Sequence, residues 1–174
     1  CRHLIKRYDC MTALSGDVEK YHSKAYPGNR IEVVPNMYDP DFPDNHGLDV
    51  REKEILYLGR IEKNKGVLKL PEIMEEIEEH SLRVVGDGGA MDNLKQKIWS
   101  NGVSDRVEIE GRVEYSEITK FYEKASIFIH PGIWPEPFGR TILEAMQMET
   151  PVIATNRGGP KDVLREEQLA DTVK

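Results

Sequence analysis

Two glutamates eight positions apart, Glu136 and Glu144, frame the stretch of this chain with most chemical content. Between them run Pro137, Phe138, Gly139, Arg140, Thr141 and then Ile142-Leu143. The prolines around Glu136 predict a loop, and the apolar spacing from Ile142 to Met148 predicts a helix entered through Gly139. Amide N–H groups at a helix start point outward and favour an anion. A carboxylate on each side of that anion site suits a ligand carrying both phosphate and hydroxyl groups, and Arg140 can balance charge. Taken alone, the same residues also read as a solvated loop glutamate and a glutamate on a helix surface.

A second constellation follows the apolar run Ile55-Leu56-Tyr57-Leu58: Gly59-Arg60-Ile61-Glu62-Lys63-Asn64-Lys65-Gly66. Glycine admits a ligand to the backbone, Arg60 offers a planar fork of donors, and Lys65 a mobile point charge. Together they can hold a diphosphate and stabilise it as a leaving group. Read alone, this is equally a basic surface turn. The spacing is not that of a P-loop, and no Ser or Thr follows Lys65; the second and third glycines of the dinucleotide fingerprint are missing.

Weaker signals accompany these. Gly86-Asp87-Gly88-Gly89 reads first as a tight strand-to-helix turn. His130, in His130-Pro131-Gly132, reads as structural or solvated rather than catalytic. Trp134 either shields a site or covers the core. Asp39-Pro40-Asp41 has the form of a D-x-D metal motif, but it lies in a Pro-broken segment and not at the end of an apolar strand. It is discounted, and no metal site is expected.

The elements that must position these residues alternate. Strands are expected at Cys10–Leu14, Ile31–Val34, Ile55–Leu58, Leu82–Val85, Val107–Ile109, Ile127–Ile129 and, last, Pro151–Ala154. Helices lie between them: Ser15 caps the first, running to about Tyr26; Val67, Leu70, Ile73, Met74 and Ile77 mark the next, with Pro71 starting or kinking it. Ala90, Met91, Leu94 and Ile98 form another face, and Ser116 is expected to cap a helix carrying Ile118, Phe121, Tyr122 and Ala125. A short helix follows Gly158-Gly159-Pro160. Short, continuous apolar strands alternating with helices define an α/β protein with a doubly wound, Rossmann-like parallel sheet. Every motif above except the discounted Asp39-Pro40-Asp41 lies just after a strand, where such sheets bind ligands.

The chain has 174 residues, with 24 Lys and Arg against 31 Asp and Glu, a formal net charge of −7. Without a basic block, a nucleic-acid partner is not expected. Cys1 and Cys10 lack metal-ligand spacing, and a disulfide scaffold is not expected. No apolar run has the length of a membrane span, and neither a membrane span nor a signal peptide is expected. The chain does not begin with Met, and a piece of a longer protein is expected.

The Glu136–Glu144 stretch resembles the E-x7-E region of retaining glycosyltransferases of family 4, and Arg60 with Lys65 resembles that family's R-x4-K pair. The resemblance covers roughly residues 10–165 and implies the C-terminal, nucleotide-sugar-binding half of a GT-B enzyme. On that reading residues 1–35 are the tail of an N-terminal acceptor domain, 36–52 the interdomain linker and 53–174 the donor domain. It implies that Arg60 and Lys65 stabilise the leaving diphosphate, Glu136 faces the sugar and Glu144 holds the ribose. Gly59, Gly86 and backbone groups at Gly139, Arg140 and Thr141 would line the nucleotide sugar, and the backbone near Val113 would meet the base. Gly158-Gly159 would border the pocket, with Asp162 in place of a family glutamate. Arg140 stands where the family often has an apolar residue. The resemblance further implies no metal or other cofactor, because protein cations take that part, and a glycan or lipid-linked acceptor bound by the other domain. Overall likeness to polysaccharide mannosyltransferases leads to GDP-mannose as the expected donor. A cytoplasmic location is expected, with association at the inner face of the membrane left open. The alternative is a non-catalytic nucleotide-binding or interaction module of α/β fold. A phospho-acceptor signalling domain is set aside, because the first regular strand ends in Gly-Arg rather than an acidic cluster.

Overall fold

The computed structural model describes residues 8–37, 39–43, 51–164 and, as backbone, 169–170. Two parallel sheets are present. Strands β1 (Cys10–Ala13) and β2 (Arg30–Val33) pair in parallel around helix α1 (Gly16–Ala25). The Ser15 side chain accepts from the Val18 amide at 3.4 Å, supplying the expected cap.

The larger unit runs β3 (Glu52–Leu58), α2 (Leu70–Glu76), β4 (Ser81–Val85), α3 (Met91–Ser100), β5 (Val107–Gly111), α4 (Thr119–Lys124), β6 (Ala125–His130), α5 (Arg140–Gln147), β7 (Val152–Thr155), α6 (Pro160–Val163) and β8 (Leu169–Ala170). Its six strands lie in the order β5-β4-β3-β6-β7-β8, and all are parallel. The chain builds outward from β3 to β5, then returns to start the other half at β6. The switch point therefore lies between β3 and β6, which is where the crevice of a doubly wound sheet opens.

The continuous apolar runs have the expected cause: both faces are covered. Ile55 and Tyr57 of β3 face a core with Leu70, Met74, Leu94 and Ile98 of α2 and α3. Leu56 faces the opposite core, with Tyr122, Phe128, Ile142, Ala145 and Met148. Burying each of the larger of these side chains contributes about 1.5–3 kcal/mol.

Several boundaries differ from the sequence expectation. Two 3-10 turns, Lys63–Lys65 and Val67–Lys69, precede α2, and Pro71 sits in its first turn, so the proline starts the helix rather than kinking it. Ser116 is not a cap; it lies inside a 3-10 turn, Tyr115–Glu117, whose continuation is α4. α5 begins at Arg140, two residues before its first apolar position, and the two-residue strand β8 follows the strand expected to be last.

The segment expected as a linker is irregular over its described residues, but Glu52 already belongs to β3. Nor is the segment merely a spacer. Phe42 is buried against the rings of Tyr115 and Tyr122. The two terminal nitrogens of Arg51 donate to the carbonyls of Tyr122, Glu123, Ala125 and Met148 and to the Thr150 hydroxyl, at 2.7–3.2 Å. Those carbonyls lie at the C-terminal ends of α4 and α5, which helices leave without internal partners. Among the described residues no helix is long and apolar enough to cross a membrane.

Candidate active site

The two constellations singled out in the sequence meet at the switch point. A pocket of about 200 Å³ is lined by Gly59, Arg60 and Lys65 after β3, by His130 at the end of β6, and by Glu136, Gly139, Arg140 and Thr141 beyond it. Lys65 forms an ion pair with Glu136, and the two side chains keep only 17% and 19% of their exposure. The pair thus bridges the loops after β3 and β6, the two strands that flank the switch point.

Local backbone chemistry aims each partner. Gly66 takes a left-handed φ of 72°, and a Cβ there would fall on the Pro131 carbonyl oxygen. This close approach lets the Asn64 carbonyl accept from the Ile133 and Trp134 amides, each at 3.1 Å. On the other side, Glu136 bridges to Gly158, whose φ is 71° and whose Cβ would meet the Glu136 backbone. Glycine alone permits that packing. The Tyr57 hydroxyl donates to the Arg60 carbonyl at 2.7 Å and fixes the turn that carries the guanidinium. Burial, reinforced by the Glu136 carboxylate, pushes the Tyr57 phenol far up, so it remains a donor.

Helix α5 offers its N-terminus to the same pocket. Gly139 takes φ 93° before Arg140, no side chain caps the helix, and no acidic residue lies in its first turn. The amides of Arg140 and Thr141 therefore add positive character beside Arg60 and Lys65.

Two further hollows continue this pocket. One of about 540 Å³ shares Gly59 and Arg60 and adds Gly86, Asp87, Arg112, Val113 and Ile118. Another, of about 370 Å³, shares Arg140 and Thr141 and adds Val113, Tyr115 and Glu144. The ten residues singled out in the sequence, Gly59, Arg60, Lys65, Gly86, Val113, Glu136, Gly139, Arg140, Thr141 and Glu144, thus line one branched cleft.

Glu144 is not a surface glutamate. It is 6% exposed, and its carboxylate accepts from the Tyr122 hydroxyl at 3.0 Å and from the Arg140 Nε at 3.2 Å. Burial raises its pKa, opposed by these donors. Arg140 also donates to the Tyr115 hydroxyl at 2.7 Å, lies over that ring and faces Asp39.

His130, read from its sequence context as structural or solvated, belongs to the cleft. It is buried, and its Nδ1 has no hydrogen-bond partner. Burial first, and Lys65 as well, lower its pKa against the pull of Glu136, so the imidazole is neutral. Its position at a strand end beside the sheet's switch point was the signal that distinguishes it. Tyr57 and Tyr115 were not singled out, and Asp39, considered only for its D-x-D form, lines an adjoining hollow that Arg140 shares.

Other candidates fall elsewhere. Trp134 is half exposed and covers no core. Asp162 accepts from the Gly16 amide at 2.7 Å and ties α6 to α1 rather than lining the cleft. Asp39 Oδ1 accepts from the Asp41 amide at 3.1 Å, an Asx turn, and its Oδ2 faces Arg140. Among the described residues, no group of three or more His, Cys, Asp or Glu is placed to hold a metal ion.

The fold is that of a GT-B glycosyltransferase lobe. The chain superimposes on HepE of Anabaena, solved with UDP-glucose, with a TM-score of 0.86 at 22% identity, covering 99% of this chain and 52% of that one. Over residues 39–172 it matches the family Glycosyl transferases group 1, and it belongs to that family. An uncharacterized glycosyltransferase of Methanocaldococcus jannaschii is 30% identical over 157 residues, which are 81% of this chain and 40% of the relative. The phosphatidyl-myo-inositol mannosyltransferase of Mycobacterium leprae is 27% identical over 170 residues, 92% of this chain and 44% of the relative. The chain thus spans less than half the length of these two curated relatives.

Proposed function

We propose that this domain binds a nucleoside-diphosphate sugar and that the whole protein transfers the sugar, with retention of anomeric configuration, to an acceptor hydroxyl. The observation that carries the reading is the Lys65–Glu136 pair, set beside Arg60 and the uncapped start of α5 at the switch point. Cations from the loop after β3 and amides at the start of α5 suit the diphosphate, and the Glu136 carboxylate suits sugar hydroxyls. On this reading Arg60 and Lys65 stabilise the charge that develops on the leaving diphosphate. Glu136 orients the sugar, and Glu144 accepts from the ribose. These protein cations stand where a metal would otherwise neutralise the diphosphate, and no cofactor is required.

GDP-mannose is the proposed donor, supported by likeness to the mannosyltransferase relative. A uridine donor is the competing assignment, because HepE was solved with UDP-glucose. The proposed acceptor is a glycan or lipid-linked sugar on the cytoplasmic side of a membrane, bound by a second lobe, so these 174 residues alone bind donor without transferring sugar.

Thermal unfolding with GDP, UDP, ADP and GDP-mannose tests this. A ligand at about 100 times its Kd stabilises by roughly 2.7 kcal/mol, a shift of roughly 5–10 °C for a domain of this size. The reading expects a shift with a diphosphate that is lost in Arg60→Ala/Lys65→Ala. Equal shifts in wild type and double variant would overturn the assignment of these cations. Nucleotide binding indifferent to the sugar and to Glu136→Ala would favour the non-catalytic module.

A further inference from the structure

The Arg140 guanidinium is divided between the nucleotide side of the cleft and another part of the chain. Its Nε pairs with Glu144 at 3.2 Å, and its Nη2 donates to the Tyr115 hydroxyl at 2.7 Å. The same Nη2 lies 3.6 Å from Asp39 Oδ2. Asp39 belongs to the connection between the small β1–β2 sheet and the six-stranded sheet. That connection is held to α5 close by, where the Gln147 side chain donates to the Asp39 carbonyl at 3.3 Å and to the carbonyl of Phe42. Arg140 lines three hollows: the one with Lys65 and Glu136, the one with Val113 and Glu144, and a third of about 380 Å³ beside Asp39 and Pro40.

The contacts differ in strength. The bond to Tyr115 is short, whereas the approach to Asp39 is longer than a good hydrogen bond, and both Arg140 and Asp39 are more than a third exposed. A diphosphate entering the cleft brings two negative phosphates that accept bidentate bonds from guanidinium. It is a stronger partner than one half-solvated carboxylate.

We propose that Asp39 and Arg140 form a clasp that a nucleoside diphosphate opens: the guanidinium turns from Asp39 to the diphosphate, and the Asp39 carboxylate loses that partner. The proposal rests on the donor-site reading above. Asp39 is a positioning residue here, acting through Arg140; the Tyr115 hydroxyl also reaches its Oδ2, at 3.5 Å. Occupying the cleft and pairing with Asp39 then compete for one side chain, so each weakens the other by the same factor.

The test is calorimetric titration of the chain with GDP and UDP, and with guanosine and uridine as probes lacking the diphosphate. For the diphosphate that binds, Asp39→Asn should tighten affinity about 2- to 5-fold, the range expected from removing an exposed competing ion pair. The matching nucleoside should show no change. In Arg140→Leu the diphosphate should bind more weakly, and adding Asp39→Asn should then have no effect. A structural role for Asp39 would instead move diphosphate and nucleoside alike. An unchanged or weakened diphosphate affinity in Asp39→Asn would overturn the clasp while leaving the donor site standing. If neither diphosphate binds the wild type, both readings fall.

Discussion

Lys65 and Glu136, 71 positions apart in the chain, meet as an ion pair across the mouth of the crevice between β3 and β6. Each side chain is largely withdrawn from water, so neither charge is neutralised cheaply by solvent once its partner is gone. The pair bridges the loops that follow β3 and β6, at the point where a ligand would enter.

Lys65→Ala should therefore destabilise the fold as well as weaken diphosphate binding. The partial exposure of both groups reduces the penalty below that of a fully buried pair, to about 1–3 kcal/mol. That corresponds to a fall in Tm of roughly 2–10 °C, readable by calorimetry. The double variant Lys65→Ala/Glu136→Ala should recover part of the loss, since it removes the unpaired carboxylate.

Glu144 carries a pH signature. Burial raises its folded pKa above the unfolded one, so the native state holds the proton more tightly. Its contribution to stability is present below the ordinary glutamate value and is lost as pH rises through the raised folded value. Glu144→Gln keeps an acceptor for the Tyr122 hydroxyl without the buried charge. Denaturant titrations from pH 4 to 8 should show that this variant loses less stability with rising pH than the wild type, while it binds nucleoside diphosphate more weakly. Parallel pH profiles for the two proteins would contradict the assignment.

Gly158 supports the Glu136 loop through a backbone approach that leaves no room for a side chain. Gly158→Ala adds both this clash and left-handed strain of about 1–3 kcal/mol. The expected result is a loss of discrimination between a nucleotide sugar and its bare diphosphate, measured by competitive titration. The diphosphate itself, held also by Arg60 and Lys65 from the β3 side, should be affected less.

Much of this arrangement was legible in the sequence because it depends on local order. Apolar runs followed by glycine and charge place Arg60, Lys65 and Glu136 at strand ends, and a parallel sheet brings strand ends together. What the sequence did not reveal depends on packing between distant elements. Burial of Glu144 requires Tyr122 of α4 to sit over α5, and its helical position alone gave no sign of that. The contact of Arg140 with Asp39 joins two regions of the chain with no pattern in common. Ser116 looked like a cap because Ser followed by Glu is a capping signal, yet a 3-10 turn claims both residues. The edge strand β8 is only two residues long, too short for any periodicity.

Arg51 belongs to that second group, a lone arginine in a polar run that turns out to satisfy the ends of two helices. Arg51→Ala should lower stability by about 2–4 kcal/mol, because it removes charge-assisted bonds and leaves part-buried carbonyls unpaired. Arg51→Lys should recover only part of that, since an ammonium cannot span carbonyls from both helices. Unfolding in urea measures both, and near-identical stability of all three proteins would contradict this role.

The most direct test of the donor-site account is calorimetric titration with a nucleoside diphosphate and its monophosphate, GDP with GMP and UDP with UMP, on the wild type and on Arg60→Ala/Lys65→Ala. The account predicts that one diphosphate binds at least about tenfold tighter than its monophosphate, as expected from one or two charge-assisted hydrogen bonds, and that the double variant erases this difference. Equal affinity for the two nucleotides in the wild type, or an undiminished difference in the double variant, would contradict it.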